Sequence, residues 1–304
     1  MPDWMHSVAN AFELAIGWIF SPSWLPPKDF QFLRWLVVPG YGYGFLLIGF
    51  ALAEFLLPAQ KRPWNRATLL SSTYLLLAGK MGVYTLLVTP LIRKGWLVAG
   101  LPSLHLDQTM PLALYMPLTI LVATFTAYWS HRLMHRIPIL WNFHKVHHAT
   151  TNLSFSSVFQ MHVLEYFVHT PLHLTAVLFL GTDLVAPFGV IFMAVDFLAH
   201  ANIRIDLGRL TYVLCTPQAH RVHHSVDPRH YDTNFGNTFM LWDHVFGTFH
   251  YDPKAMPEAY GVTEDLPLSF VKQQVLPVVA AAKTIGSGVG RFFGRRQDAV
   301  EAGD

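Results

Sequence analysis

Met110 to Trp129 is a run of 20 residues without a charged side chain, and a single serine separates it from His131. A helix of that length spans a hydrocarbon core of about 30 Å. The chain therefore meets its first group of histidines at the end of an apolar rod. The stretch "HRLMHRIPILWNFHKVHH", His131 to His148, holds five of the 17 histidines, and the same beat returns as "HRVHH" from His220 to His224.

Residues three or four apart share a helix face. The intervals here are His131-x3-His135, His144-x2-His147-His148 and His220-x2-His223-His224. Each motif presents imidazoles together, and neutral imidazole suits iron, zinc and copper. These histidines are enough to ligate two ions. Cys215 is the sole cysteine, so intrachain disulfides and cysteine-based zinc or iron–sulfur sites are excluded. Metal chemistry must run on imidazole and carboxylate.

Two more histidines join the expected donor set. His200 follows "VDFLA", with Asp196 one turn earlier as a second ligand or as a carboxylate orienting the ring from behind. His162, in "QMHVLEYF", stands three residues before Glu165, which is placed to orient it in the same way. His6, His105, His169, His173, His230, His244 and His250 lack the pattern and read as surface or packed residues.

Charged residues make up 13% and apolar ones 52% of the chain; soluble domains carry roughly twice that charge. The composition points to a membrane, and a net charge of +2 spread along the chain excludes a nucleic-acid surface. Val8, Phe12, Ile16 and Ile19 suit an interfacial amphipathic helix, and Asp3 and Glu13 stand where a secretory signal carries cations. Val37 to Leu57 is the first expected span, Thr68 to Ile92 the second, interrupted by Lys80, and Met110 to Trp129 the third. Glu54 reads as a solvated carboxylate near the end of span one. Phe167 to Leu180 and Leu184 to Ala199 are shorter and fit either a re-entrant hairpin or two further spans. Lys61, Arg62, Arg66, Arg132, Arg136 and Lys145 outweigh Arg93 and Lys94, which places both histidine clusters on the cytoplasmic side.

The stretches "YWSHRLMH", "WNFHKVHHAT", "MHVLE", "HANI", "PQAHRVHHS" and "NFGNTFMLWDHVFGTF", in this order and spacing, resemble the fatty acid hydroxylase and sterol desaturase superfamily over roughly Ala127 to Phe249. The resemblance implies an all-α integral membrane protein: a bundle of about four transmembrane helices under a cytosolic helical cap. Between them it implies a di-iron centre that activates O2 and oxidises an unactivated C–H bond of a lipid. One departure is His244, where the family usually has Arg. The expected organisation is an interfacial segment over 1–35, three spans over 36–130, a histidine-box catalytic domain over 131–275 including the apolar hairpin 167–199, and a C-terminal tail over 276–304.

The expected ligands are His131, His135, His144, His147, His148, His162, His200, His220, His223 and His224, with Glu165 and Asp196 behind them. The expected cofactors are two iron ions, which zinc can replace in purified protein, with O2 as co-substrate. The chain has no GxGxxG after a strand, no haem-attachment motif and no iron–sulfur spacing. Electrons for such a reaction must come from a cytosolic donor of the ferredoxin, cytochrome b5 or reductase type. Hydroxylation and desaturation both remain open, as do a bacterial inner membrane and the endoplasmic reticulum. A zinc-dependent membrane lipid hydrolase, or a metal-binding membrane protein without catalysis, is the alternative, since Glu165, Asp196 and Asp243 offer carboxylates for hydrolysis.

Overall fold

The computed structural model describes residues 31–61, 66–67, 69–74, 91–181, 185–203, 205, 207–251, 257–264 and 266–301. The expected interfacial segment before residue 31, most of the second span and Lys80 lie outside the described residues. Among the described residues the structure is helical, with isolated β-bridges and no strand.

Helix α1, Gln31–Leu56, has two apolar sides. Phe45, Ile48, Leu52 and Phe55 recur at intervals of three and four and are exposed, while Leu46, Leu47, Phe50 and Ala53 pack on a buried cluster of Phe155, Phe197, Ala201 and Ile203. Full burial of a side chain such as Phe197 contributes about 1.5–3 kcal/mol.

Helix α2 spans Leu112–Arg136. It stops because Ile137 precedes Pro138: the proline ring disfavours helical backbone at the residue before it, and Ile137 is extended at φ −97, ψ 114. Pro138 then opens α3, Pro138–His148, where its missing N–H costs nothing. This one-residue corner folds the histidine-bearing end of α2 over α3.

Two short 3-10 turns, Phe155–Phe159 and Val163–Glu165, lead into α4, Tyr166–Leu180. Gly181 ends α4 in the left-handed region at φ 70, and a Cβ there would stand 2.6 Å from the backbone nitrogen of His105. Both conformation and space demand glycine. Helix α5, Val185–His200, follows. α4 packs along α2, whereas α5 packs on α1 and on the Phe155–Phe159 turn. The two limbs of the expected hairpin thus rest on different helices.

Two described stretches are long and apolar enough to cross a membrane, Ala113–Arg136 and Val163–Leu180. Only 22% and 25% of their apolar windows are buried, and Leu114, Leu121 and Phe125 of the first and Phe167, Leu172 and Phe179 of the second are exposed apolar side chains. Gly44–Leu56, within α1, and Ile191–His200, within α5, are shorter apolar stretches.

Helix α6, Pro217–His223, starts on Thr216, whose hydroxyl accepts from the Ala219 N–H. Helix α7, Leu241–Phe246, follows a loop from Ser225. Helix α8, Phe270–Glu301, lies along α3, with Asn142 donating to Thr284 at 3.3 Å and Ala281 buried. The expected boundary at 275 therefore falls inside a helix.

Candidate metal centre

Nine histidines meet where α2, α3, α5 and α6 converge, and their donor atoms fall into two adjacent groups. His131, His135, His144, His148 and His223 form one; His147, His200, His220 and His224 form the other, and within each group the donors lie within 4.8 Å of one another. The partition follows helix geometry. On α3, His144 and His148 are one turn apart and share the first group, while His147 turns toward the second. On α6 and its C-cap, His220 and His224 share the second group while His223 turns toward the first. Each H-x2-H-H motif thus divides two to one, in opposite senses. α2 adds His131 and His135 to the first group, and the end of α5 adds His200 to the second.

The tautomers are set from behind. Backbone carbonyls accept from Nδ1 of His131 (Phe235, 2.8 Å), His223 (Thr233, 2.7 Å) and His200 (Asp196, 2.8 Å). The carboxylate of Glu165 accepts from Nδ1 of His144 at 2.7 Å. An acceptor can only be met by a protonated Nδ1, which leaves Nε2 of a neutral ring as a bare lone pair. Nε2 of His131, His135 and His223 is buried without a hydrogen-bond partner. In the second group Nε2 of His200 stands 3.1 Å from that of His147 and 2.8 Å from that of His220, which is 3.1 Å from that of His224. Two nitrogens bound about 2.1 Å from one ion at right or tetrahedral angles stand about 3.0–3.4 Å apart. The spacing, the orphaned lone pairs and the all-imidazole donor set fit one first-row ion per group.

Burial reinforces this. It holds the imidazoles of His147, His148, His220 and His224 well below the ordinary histidine pKa, with neighbouring imidazoles adding to the shift, and takes His223 down to about 3. The neutral ring, the form that binds metal, is therefore the resting form.

The loop 233–236 is built to offer its two carbonyls. Asn234 adopts φ 56, and its side chain donates to the Ala219 and His250 carbonyls and accepts from the His250 N–H. Asp243 is fully buried, accepting from the N–H groups of Phe235 and Gly236 at 2.8 Å each and from the Thr248 hydroxyl at 2.7 Å. A Cβ at position 236 would stand 2.7 Å from Asp243 Oδ2. The "NFG" and "WD" signatures are thus one device that aims backbone oxygen at His131 and His223. His244, placed where the family usually has Arg, packs against the Phe249 ring at a tilt and sits 3.0 Å from the Tyr212 carbonyl, a contact that needs only a ring N–H.

Several expected placements are corrected. His162 lies outside both groups: Nδ1 accepts from the Leu164 N–H as an N-cap, and Nε2 donates to the Gln274 carbonyl at 2.8 Å. That ring has no free lone pair. Glu165 faces His144 in its place, with His169 3.6 Å away and in turn 2.9 Å from Ser130. Asp196 orients His200 through its backbone carbonyl, and neither carboxylate belongs to a donor group. Glu54, read as solvated, accepts from two backbone N–H groups, those of Phe155 and Asn202. Lys145, counted among the loop cations, is buried and paired with Glu264.

Helical elements and a doubled, all-histidine donor set define a class of helical proteins with a candidate two-ion histidine site. Residues 116–248, which contain all nine of these histidines, match the family model of the fatty acid hydroxylases. The chain is similar to the ornithine lipid hydroxylase OlsE of Rhizobium tropici, 30% identical over 169 residues, which is 55% of this chain and 51% of that protein. It is also similar to the alkylglycerol monooxygenase of Homo sapiens, 29% identical over 142 residues, 47% of this chain and 32% of that protein. The fatty acid hydroxylase vlmA of Lecanicillium is 27% identical over 157 residues, 45% of this chain and 42% of that one. The chain thus spans about half or less of the length of these relatives. No solved structure matches it.

Proposed function

We propose that the protein is a membrane-bound di-iron oxidoreductase that uses O2 and electrons from a separate cytosolic carrier to hydroxylate an unactivated C–H bond of a lipid. The observation that carries this reading is the pair of adjacent donor groups, nine imidazoles with no carboxylate or thiolate among them. When bound, the two ions supply the oxygen chemistry. His131, His135, His144, His148 and His223 hold one, and His147, His200, His220 and His224 the other. The protein's part is to fix these rings, through Phe235, Thr233, Asp196 and Glu165, and to keep water from a buried site.

The relatives' names support insertion of oxygen over desaturation, and each couples it to a lipid: ornithine lipid, alkylglycerol, fatty acid. Outward-facing apolar sides on α1, α2 and α4 support a multi-pass arrangement of about four spans, in which an alkyl chain reaches the centre from the bilayer while its head group stays in water. Lys61, Arg62, Arg66, Arg132 and Arg136 support a cytoplasmic active site; Lys145, being paired, does not enter that count. A zinc hydrolase asks for a carboxylate base at an open metal position, and Glu165 is engaged with His144.

The test is O2 consumption by purified, iron-loaded protein with a chemical reductant and total lipid extract, with lipid products analysed by mass spectrometry under 18O2. Lipid-dependent uptake with a product about 18 Da heavier under 18O2, against about 16 Da heavier under 16O2, is the expected result. Turnover that continues without O2 overturns the reading.

A further inference from the structure

The connection that follows His200 is held from both sides by residues outside its own helix. Asn202 donates its backbone N–H to Glu54 Oε1 at 2.7 Å, and the same oxygen accepts from the Phe155 N–H at 2.7 Å. The Asn202 carbonyl accepts from Ala59 at 3.1 Å, and its side chain exchanges two hydrogen bonds with the backbone of Gln60. From the other side, the buried guanidinium of Arg221 donates to the carbonyls of Ala201 at 2.8 Å and Ile203 at 3.3 Å. The Asn202 N–H and the carbonyls of Ala201, Asn202 and Ile203 are thus answered by α1, by the residues just after it, or by the motif that supplies His220 and His224.

This matters because His200 is the lone donor that α5 gives to the four-histidine group. Its helix ends at His200, so the ring sits at a terminus, where backbone hydrogen bonds run out and fraying begins. Its Nδ1 bond to Asp196 sets the rotation of the ring but not the position of the helix end. The clamp on residues 201–203 sets that position, and its only carboxylate comes from α1, well before the matched segment begins at residue 116.

We infer that Glu54 is a positioning residue for the four-histidine group, holding His200 within reach of His147 and His220 by fixing the backbone that follows it. The inference rests on the reading that His147, His200, His220 and His224 hold an ion. It goes beyond that reading in placing a determinant of the centre on a helix outside the family domain. The five-histidine group draws on α2, α3 and α6, and none of its histidines directly follows or precedes the backbone that Glu54 holds. Loss of Glu54 therefore acts on one ion of the pair.

The experiment is titration of metal-free, full-length protein in detergent with Co2+, followed by visible absorption and electron paramagnetic resonance. Wild type takes up two equivalents. Glu54→Ala keeps one equivalent at wild-type affinity and binds the second about 10–100-fold more weakly, and Co2+ at one equivalent shows the signal of an isolated ion. Glu54→Gln keeps a carbonyl oxygen for both N–H groups and binds two equivalents near wild-type affinity. Where Ala does not fold, Glu54→Asp withdraws the oxygen by one methylene and shows the same selective loss. Two equivalents at wild-type affinity in Ala or Asp overturn the inference, as does equal weakening of both ions, which marks Glu54 as general scaffold. Fewer than two equivalents in wild type overturn the underlying site reading, and the inference with it.

Discussion

Oε1 of Glu165 stands 2.7 Å from Nδ1 of His144, and both side chains are buried. The contact joins the turn before α4 to the middle of α3 and dictates which nitrogen of His144 faces the five-histidine group. A carboxylate behind a ligating imidazole also raises its basicity. Glu165→Gln keeps an oxygen in place but removes the charge. It is expected to weaken retention of the ion in that group by about tenfold while the fold persists, read as metal lost to a competing chelator at fixed times. Unchanged retention contradicts the assignment.

Neighbouring histidines on α3 face different donor groups. His147→Ala is expected to deplete the four-histidine group and His148→Ala the five-histidine group, each leaving about one ion per chain and abolishing turnover. His105, exposed and left-handed at φ 46, belongs to neither; His105→Gly, which relieves the backbone, leaves metal content and turnover as they are. Metal analysis of the three variants, with a spectroscopic distinction between the two singly loaded forms, decides the matter. Identical residual spectra for the 147 and 148 variants refute the partition.

Asp243 accepts three hydrogen bonds in a fully buried position. Asp243→Asn puts an NH2 group opposite a donor and leaves buried donors unanswered, at a cost of about 2–3 kcal/mol. The loss of stability is expected with weaker binding in the five-histidine group, because Phe235 carries the strain to His131. Denaturation of the metal-free variant measures the first effect and Co2+ binding the second.

The metal-free protein should be acid-labile. His147, His148, His220, His223 and His224 have native pKa values depressed by burial below the ordinary 6.5, His223 to about 3. In the unfolded chain they protonate near 6.5, so below that pH the unfolded state binds more protons and stability falls; above it the penalty vanishes. Protons and metal compete for the same lone pairs, so metal retention falls in the same direction. The thermal midpoint of metal-free protein is expected to drop steeply from pH 7.5 to pH 5.5. A flat profile contradicts neutral, buried rings.

The eight motif histidines and His200 were legible in the sequence because helical spacing forces them together at the end of apolar runs. Their partition was not, since adjacent residues such as His147 and His148 diverge only once the helix has a direction. Three of the four groups that fix tautomers are backbone carbonyls, of Phe235, Thr233 and Asp196, and a carbonyl carries no residue-type signature. His162 mimicked a ligand because Glu165 follows at helical spacing, yet residues 163–165 form a 3-10 turn that makes His162 its cap. Glu54 was misread because its partners, Phe155 and Asn202, are more than a hundred residues away. Of the expected spans, α2 is whole in the structure, and the pair over 167–199 proved to be two helices leaning on different neighbours.

We propose that the nine imidazoles hold two iron ions. This is tested most directly by metal content per chain, measured by mass spectrometry on protein purified without chelator from iron-supplemented cells. Close to two irons per chain, falling to about one in His147→Ala, is the predicted result. One ion or none per chain, or two tightly held zincs that iron does not displace, contradicts it.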